Sequence, residues 1–423
     1  MFLHIDIDSF FVSAHRSVEP KYKDIPVAVG SRSNLEIFRK KRSNLRLMND
    51  NSGAFVTPVF YSNEEKTFES VFIDNINGQR KIRGIVTTAS YEARAYGVQT
   101  GMPLAQALQL CPILIVIPSH YPLYHKLSSL LREFIQSRIP RVEQFSIDEF
   151  FGDVSGWIRD EDVYEFAALL QEQIKSEFDI PVSIGISRAK WIAKMATEDA
   201  KPYGVYEVKD ILRYVQNVPI AEFPGIGKAL QKRLKNNMIN TLGDIQSRKS
   251  LFYSWGKPGM QLYNRVFGID NEVIEDSTPR KSVGISRTFD PIFDTLEVKR
   301  MMLIMARNIT HIIMQLGVNP TTYYLKINYQ YNVRVKRSFR VDKLFSEHLF
   351  KYELSCQYDA IHHKLLGAVK LSISAANFTS INRRTLSLLD LCADRKQQML
   401  SKSVLELRKK YGLDILKDAI EII

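Results

Sequence analysis

Apolar and polar residues alternate at the start of the chain, and this alternation predicts where the first elements lie. Residues 2–8, FLHIDID, have the period of two that is typical of a half-buried β-strand, and residues 11–19 then favour a helix. Later stretches repeat both patterns, with a helix at 121–138, a strand pair at 142–155, a helix at 162–178 and a strand at 180–187. The order strand, helix, strand, strand, helix, strand predicts an α+β domain of the ferredoxin-like type.

The rest of the chain has different patterns. Residues 31 to about 82 are charged and rich in turn-forming residues, which indicates a loop-rich insertion after the first helix. Beyond residue 208 short helices are expected, and a polar linker at 271–281 separates them from a small α/β unit. A helical tail, 381–423, closes the chain.

Composition narrows the class of protein. The chain has 423 residues, 45% of them hydrophobic, which is enough for several packed domains. No apolar run reaches the length of a membrane span, and Asp6 and Asp8 interrupt the first apolar stretch too early for a signal peptide. We therefore expect a soluble, cytoplasmic protein. Cys111, Cys356 and Cys392 have neither disulfide nor zinc-ligand spacing.

Positive charge is concentrated towards the C-terminus. Residues 279–423 contain 24 Lys and Arg against 13 Asp and Glu, whereas the first 278 residues contain 34 against 33. A basic segment joined to a neutral body favours a polyanion such as nucleic acid as partner, with a solvated basic surface as the alternative. Strand alternation within this segment predicts one cationic face, formed by Arg334, Lys336 and Arg340 and joined by Lys326 and Lys370.

Two pairs of acids lie in apolar surroundings. Asp6 and Asp8 share one face of the first strand, and Asp148 and Glu149 lie within FSIDEFF, residues 145–151. An isolated buried carboxylate is strongly disfavoured, so such acids need a metal, a basic partner or a shifted pKa. Carboxylates that converge from two strands form an oxygen-rich site suited to Mg²⁺ or Mn²⁺. The alternative for either pair is a strand end or turn exposed to water.

Six ordered blocks of sequence resemble the Y family of DNA polymerases, and within it the DinB (polymerase IV) branch. The blocks are HIDIDSFF, TTASYEARAYGV, FSIDE, AKMATEDAKPYGVY, FPGIGK and RKSVGISRTF, and they span nearly the whole chain apart from residues 31 to about 82. The resemblance implies a palm at 1–18 and 119–208, fingers at 19–118 that include the insertion, a helix-hairpin-helix thumb at 209–270, a linker at 271–281, an α/β little finger at 282–380 and a tail at 381–423.

The resemblance also implies an activity, namely template-directed, low-fidelity translesion synthesis without proofreading, as in the SOS response to DNA damage. Asp6, Asp148 and Glu149 would be the catalytic acids. With the backbone carbonyl of Ile7 they would hold two Mg²⁺ ions, for which Mn²⁺ can substitute. Strand alternation alone does not separate Asp8 from Asp6, but the family pattern leaves Asp8 a supporting role at most.

Other positions match the family's nucleotide-binding residues. Tyr91, Arg94 and Lys201 match positions that hold the triphosphate of the incoming dNTP. Phe11 matches the sugar gate, the position whose aromatic ring collides with a ribose 2′-hydroxyl. Lys194 is either a DNA contact or a structural residue.

The turn PGIGK resembles that of a helix-hairpin-helix. In such a turn glycines let backbone N–H groups approach a DNA phosphate, and the residues concerned are Gly225, Gly227 and Lys228. The turn is not a Walker loop for ATP, because Glu222 stands where that loop requires glycine.

Primer–template DNA and dNTP are thus the expected partners of a monomeric protein that binds no membrane. Residues 385–389 loosely resemble the peptide with which bacterial polymerases bind the sliding clamp, although Thr385 replaces Gln and Leu389 replaces Phe. The alternative is an apolar start to the helical tail. Two other functions stay open: a UmuC-type subunit that needs a partner protein, and a catalytically silent DNA-binding scaffold.

Overall fold

The computed structural model describes residues 1–39, 45–48, 59–61, 64, 66–76, 78–269, 272–275, 280–379 and 391–422. The chain forms two compact units. The first consists of Met1–Ser31 and Thr67–Thr278, and the second of Arg32–Lys66 and Pro279–Ile423. Among the described residues, no helix combines the length and the apolar character needed to cross a membrane.

The strands and helices of the described residues are numbered in chain order. The strands are β1 Phe2–Ile7, β2 Val27–Ser31, β3 Arg46–Met48, β4 Val59–Tyr61, β5 Ile73–Ile76, β6 Gln79–Ile82, β7 Ile85–Ala89, β8 Ile115–Pro118, β9 Arg141–Gln144, β10 Glu149–Asp153, β11 Val182–Ser187, β12 Val205–Val208, β13 Ser282–Ile292, β14 Asn319–Tyr329, β15 Arg334–Arg340 and β16 Ala368–Thr379. The helices are α1 Phe10–Val18, α2 Phe68–Phe72, α3 Tyr91–Ala95, α4 Leu104–Leu110, α5 Tyr121–Gln136, α6 Val163–Phe178, α7 Lys190–Ala200, α8 Ile211–Val215, α9 Lys228–Lys235, α10 Gly243–Gln246, α11 Lys249–Ser254, α12 Lys257–Phe267, α13 Thr295–Leu316, α14 Glu347–Ile361 and α15 Leu391–Tyr411.

A five-stranded sheet in the order β12-β11-β1-β10-β9 organises the first unit. β1 lies in the middle and pairs antiparallel with both β10 and β11. Leu3, Ile5 and Ile7 are buried on one face of β1, and alternation puts His4 and Asp6 on the other. The strand order, together with the helices between the strands, confirms the predicted ferredoxin-like arrangement.

The first unit also contains a smaller sheet and a group of short helices. A three-stranded sheet in the order β7-β2-β8 covers an apolar core that includes Phe72, Val86 and Leu104. The short helices expected after residue 208 are present as α8 to α12, and they pack around a core that includes Phe223 and Phe252.

The second unit is built on a four-stranded sheet in the order β13-β16-β14-β15. Each neighbouring pair is antiparallel. α13 is buried along nearly its whole length, since its side chains from Val298 to Ile313 are almost all inaccessible to solvent. A helix buried all round serves as the core of the domain.

The structure divides the predicted insertion between the two units, whereas the resemblance implied that all of residues 31 to about 82 belong to the fingers. Arg32–Lys66 belongs to the second unit. The reason is apolar packing, because Ile37, Phe38 and Phe60 join the core that surrounds α13. Arg300 of α13 also donates a hydrogen bond to the carbonyl oxygen of Phe38 at 3.0 Å. The remainder, from Thr67, stays with the first unit.

Candidate active site

The acids predicted to be catalytic lie at one end of the central sheet of the first unit. Asp6 of β1 is the direct cross-strand partner of Glu149 of β10. Asp148 directly precedes β10, and its carbonyl oxygen accepts a hydrogen bond from the Ile7 N–H at 3.0 Å. Antiparallel pairing therefore brings residues more than 140 positions apart in the chain to adjacent positions.

The loop that carries Asp148 is fixed by hydrogen bonds from its flanks. Ser128 of α5 donates to the carbonyl oxygen of Ile147 at 2.5 Å and accepts from the Gln144 amide at 2.8 Å. The Ser146 hydroxyl donates to Asp148 Oδ1 at 2.8 Å. These bonds hold the backbone and the carboxylate of Asp148 at the strand end.

Two lysines of α7 and its C-terminus pair with these acids. Lys201 Nζ lies 3.2 Å from Asp6 Oδ2, and Lys194 Nζ lies 2.6 Å from Glu149 Oε1. Lys194 and Lys201 are seven residues apart, or about two helical turns. Both therefore lie on the side of α7 that faces the sheet. Asp6 and Glu149 are thus paired with different lysines.

Burial and the neighbouring lysines shift the pKa values of the three acids differently. Burial, opposed by the charge of Lys201, raises the pKa of Asp6 to about 7. Burial also raises the pKa of Asp148. Burial acts against ionisation of Glu149 too, but hydrogen bonds and charges from His4 and Lys194 outweigh it and lower the pKa of Glu149 to about 2. A cation placed among the three carboxylates would stabilise all of them in the ionised form.

His4 lies beneath Glu149 and was not identified from the sequence. Burial lowers the pKa of His4 to about 4, so the ring is neutral at pH 7 and Lys194 is the cationic partner of Glu149 there. The Thr197 hydroxyl donates to a backbone carbonyl, so it accepts from His4 Nδ1 at 2.8 Å. This leaves His4 Nε2 to face Lys194 Nζ at 3.5 Å. Strand alternation puts His4 on the face of Asp6, and that signal was available in the sequence.

Asp8 is an anchor for neighbouring residues. Its carboxylate accepts hydrogen bonds from Ser183 Oγ at 3.0 Å, from Tyr91 Oη at 3.2 Å and from the Tyr203 N–H at 2.8 Å. The side chain is 2% exposed. Protein groups thus already bind the oxygens of Asp8, which supports a role for Asp8 different from the proposed catalytic role of Asp6.

The predicted triphosphate-binding residues lie beside this anchor. Tyr91 and Arg94 are on α3, and the Arg94 guanidinium lies 4.8 Å from the centre of the Tyr91 ring. Arg94 donates to the carbonyl oxygen of Ala89 at 3.0 Å and to Ser9 Oγ at 3.2 Å. Since Ser9 is the N-cap of α1, Arg94 ties α3 to the start of that helix. Tyr91, Arg94 and Lys201 therefore lie around the same end of the sheet as the acids.

Another acidic cluster, in the second unit, was not anticipated. Among the described residues, a triplet whose carboxylate oxygens lie within 4.8 Å of one another is formed by Glu347, Asp418 and Glu421, and not by Asp6, Asp148 and Glu149. Lys351 fills this cluster, with Nζ at 2.8 Å from Glu347 and at 2.6 Å from each of the other two. Arg408 also pairs with Glu347, and Arg307 with Glu421, so three cations balance the three carboxylates of a largely buried ion-pair network.

The predicted cationic face of the second unit is present in the register of its sheet. Lys326 is the direct partner of Lys336, and Asn328 lies opposite both Arg334 and Lys370. Direct partners share a face, so these cations line one side of the sheet, as does Arg340 by alternation along β15. Lys326, Lys336, Arg334 and Arg340 are exposed. Like charges directly opposite one another are destabilising unless a polyanion compensates them.

The predicted helix-hairpin-helix turn precedes α9. Gly225 has a φ of +95°, a conformation that favours glycine, and Gly227 is the N-cap of α9. Apart from its chain neighbours and its own helix backbone, none of the described residues has an atom within 4 Å of a Cβ added at Gly227, so the space beside this glycine is open. Lys228 is exposed at the first helical position. The predicted clamp peptide, 385–389, lies outside the described residues.

The chain is similar in sequence to known proteins. The model of the impB/mucB/samB family matches residues 5–198. DNA polymerase IV of Yersinia enterocolitica is 31% identical over 294 residues, which cover 68% of this chain and 69% of that protein. DNA polymerase IV of Staphylococcus aureus is 29% identical over 352 residues, which cover 82% of this chain and 93% of that protein.

The chain is also similar in fold to a solved structure. A chimeric Y-family DNA polymerase that contains segments of Dbh superposes with a TM-score of 0.69 at 22% identity, covering 90% of this chain and 99% of that one. The residues matched by the family model, 5–198, include the strand-end acids, Lys194 and α3. The chain therefore belongs to the Y family of DNA polymerases.

Proposed function

We propose that this protein extends a DNA primer along a template by adding dNTPs, with low fidelity and without proofreading, as a translesion polymerase. The observation that carries the proposal is the position of Asp6, Asp148 and Glu149 at one sheet end, beside Lys201 and the α3 residues. The reaction is attack of the primer 3′-hydroxyl on the α-phosphate of the dNTP, with pyrophosphate as the leaving group.

Asp6, Asp148, Glu149 and the backbone carbonyl of Ile7 would hold two Mg²⁺ ions, or Mn²⁺ in their place. These residues fit such ions because all the donors are oxygens and because the buried Asp6 carboxylate, with a pKa raised to about 7, gains most from a nearby cation. When bound, the ions supply Lewis-acid stabilisation of the attacking and leaving oxygens.

Protein side chains would position the triphosphate. Arg94 offers a planar guanidinium, Lys201 an ammonium group and Tyr91 a hydroxyl, which are donors suited to phosphate oxygens. Burial, reinforced by the charge of Asp8, raises the pKa of Tyr91 to about 12, so its hydroxyl stays protonated. Its single proton is donated to Asp8 in this structure and would turn to a phosphate oxygen when the nucleotide binds. Phe11 would exclude ribonucleotides by contact with a 2′-hydroxyl.

We propose that the cationic face of the second unit and the turn before α9 bind the DNA backbone. Phosphate contacts of this kind are independent of base sequence, which suits an enzyme that follows any template. The pairing of Lys326 with Lys336 across two strands supports this assignment, because the repulsion between them is relieved by a polyanion.

Removing three cations from this face should weaken DNA binding. We expect Arg334→Gln, Lys336→Gln and Arg340→Gln together to reduce affinity for primer–template roughly 10- to 100-fold at about 0.1 M salt, and to flatten the dependence of log K on log salt by up to about 3. Fluorescence anisotropy across a salt series measures both quantities.

The matched control removes the same charge from α15, as Arg395→Gln, Lys396→Gln and Lys402→Gln, which are also exposed. If the control weakened binding as much as the sheet variant, net charge alone would account for the effect and the sheet would not be the DNA interface.

The proposed activity itself is tested by primer extension with the isolated chain on damaged and undamaged templates. We expect template-directed addition of dNTPs without any other protein. Activity that appears only after a partner protein is added would favour a UmuC-type subunit. DNA binding without any nucleotide addition would favour a catalytically silent scaffold.

A further inference from the structure

The ring of Phe11 rests on another aromatic ring that is itself rigidly held. Phe11 and Tyr124 of α5 are stacked, with ring centroids 4.2 Å apart and planes inclined by 14°. Phe10 and Tyr121 also touch Phe11, but at 5.5 and 6.1 Å and at angles of 47° and 73°. Tyr124 is therefore the neighbour that covers a face of the Phe11 ring.

Tyr124 has no freedom to follow Phe11 if that ring moves. Its side chain is wholly buried, with 0% exposure. The His120 N–H donates to Tyr124 Oη at 3.0 Å, and Oη lies 2.9 Å from Nε2 of the buried His15. Since the His120 N–H can only donate, the single hydroxyl proton of Tyr124 is free to be donated to His15.

His15 is suited to accept that proton. It is 6% exposed, and burial lowers its pKa to about 4, so the ring is neutral near pH 7 with one nitrogen available as an acceptor. Rotation of the Tyr124 ring would leave a buried acceptor on His15 unpaired, which is unfavourable. The backbone of α5 and the side chain of His15 thus fix the plane of Tyr124 from two sides.

We propose that Tyr124, oriented by His15, is a positioning residue that holds Phe11 at the angle needed to exclude a ribonucleotide. The inference rests on the proposed function, in which Phe11 is the sugar gate. A gate of this kind discriminates by collision, and a ring free to swing aside would lose the collision without losing the nucleotide. The stack and the hydrogen-bonded hydroxyl remove that freedom.

The test compares insertion of a dNTP and of the matching ribonucleotide by the full-length chain on primer–template DNA. Tyr124→Leu should lower the ratio of the two kcat/KM values roughly tenfold, mostly by faster ribonucleotide insertion, because a stacked aromatic pair is worth about that factor. Tyr124→Phe keeps the stack but loses the bond to His15, so we expect a loss of roughly two- to threefold. It also serves if Tyr124→Leu folds poorly.

Two reference variants separate the possible explanations. Phe134 lies on α5, like Tyr124, and its ring is 5.4 Å from that of Phe178. Phe134→Leu removes this aromatic contact and should leave the ratio unchanged. Phe11→Val removes the gate and should abolish most of the discrimination.

An unchanged ratio in Tyr124→Leu, alongside a lost ratio in Phe11→Val, would overturn the positioning role and leave the gate intact. Equal slowing of both nucleotides in Tyr124→Leu would likewise overturn it, because a merely structural residue acts that way. If Phe11→Val also kept the ratio, the gate in the proposed function would itself be wrong, and the inference would fall with it.

Discussion

Replacing Asp148 and Glu149 together by alanine is expected to abolish nucleotide addition while leaving DNA binding in place. In the proposed site the two carboxylates would supply most of the oxygen ligands beside β10, and Asp6 alone would offer too few to hold two divalent ions. We expect the rate of single-nucleotide insertion to fall by roughly a thousandfold or more, equivalent to about 4 kcal/mol of transition-state stabilisation. Single-turnover primer extension measures the change.

The folded state should tolerate this double substitution. Asp148 and Glu149 both contribute charge repulsion that adds to burial in raising the pKa of Asp6, and their removal relieves that repulsion. Lys194 loses its partner Glu149, but its side chain is 18% exposed and can be hydrated. A matched control is Asp153→Asn at the opposite end of β10, where the carboxylate pairs with exposed Arg141 at 3.3 Å. Insertion at the normal rate by Asp148→Ala/Glu149→Ala, or an equal loss in Asp153→Asn, would contradict the assignment.

Glu421→Gln is expected to destabilise the second unit by about 3 kcal/mol. Glu421 is 1% exposed, and its carboxylate lies 2.6 Å from Lys351 Nζ and 3.1 Å from Arg307 Nε. The contact with Arg307 is an ion pair without the geometry of a directed hydrogen bond. Neutralising Glu421 leaves two buried cations short of negative charge, and that deficit is what costs stability.

Hydrogen exchange and thermal unfolding of the full chain measure this effect, which should be largest for amides of α13 and α14. The control is Glu406→Gln on α15, since Glu406 pairs with Lys409 at 2.8 Å but is 69% exposed. An exposed pair of this kind contributes less than about 1 kcal/mol. Equal stability of the two variants would show that the Lys351 network does not hold the C-terminal segment in place.

The sequence was sufficient to predict the elements that carry the site, because strand alternation and helical spacing are local properties. Alternation in β1 and the apolar surroundings of Asp148 pointed to converging acids, and the charge distribution pointed to the cationic sheet face. The register then placed Lys326 opposite Lys336, as the shared face required. These predictions needed no knowledge of long-range packing.

Other features depend on tertiary contacts that no local pattern reveals. The short apolar runs around Phe38 and Phe60 show no sign of their partner, so their packing with α13 was missed. Strand alternation puts His4 on the face of Asp6, but a histidine in a strand is usually an ordinary core residue, and the contacts with Thr197 and Lys194 are what separate it from one. The stack of Phe11 on Tyr124 joins residues 113 positions apart and had no local signal.

The proposed mechanism requires the side chains of residues 6, 148 and 149 to bind divalent cations jointly next to the incoming nucleotide. The most direct test is a crystal structure of the full chain with primer–template DNA, a non-hydrolysable dNTP and Mn²⁺, with diffraction recorded at the manganese absorption edge. We expect anomalous peaks about 2 Å from carboxylate oxygens of all three residues and in contact with the triphosphate. Manganese bound elsewhere, with Lys194 and Lys201 still paired to Glu149 and Asp6, would contradict this mechanism.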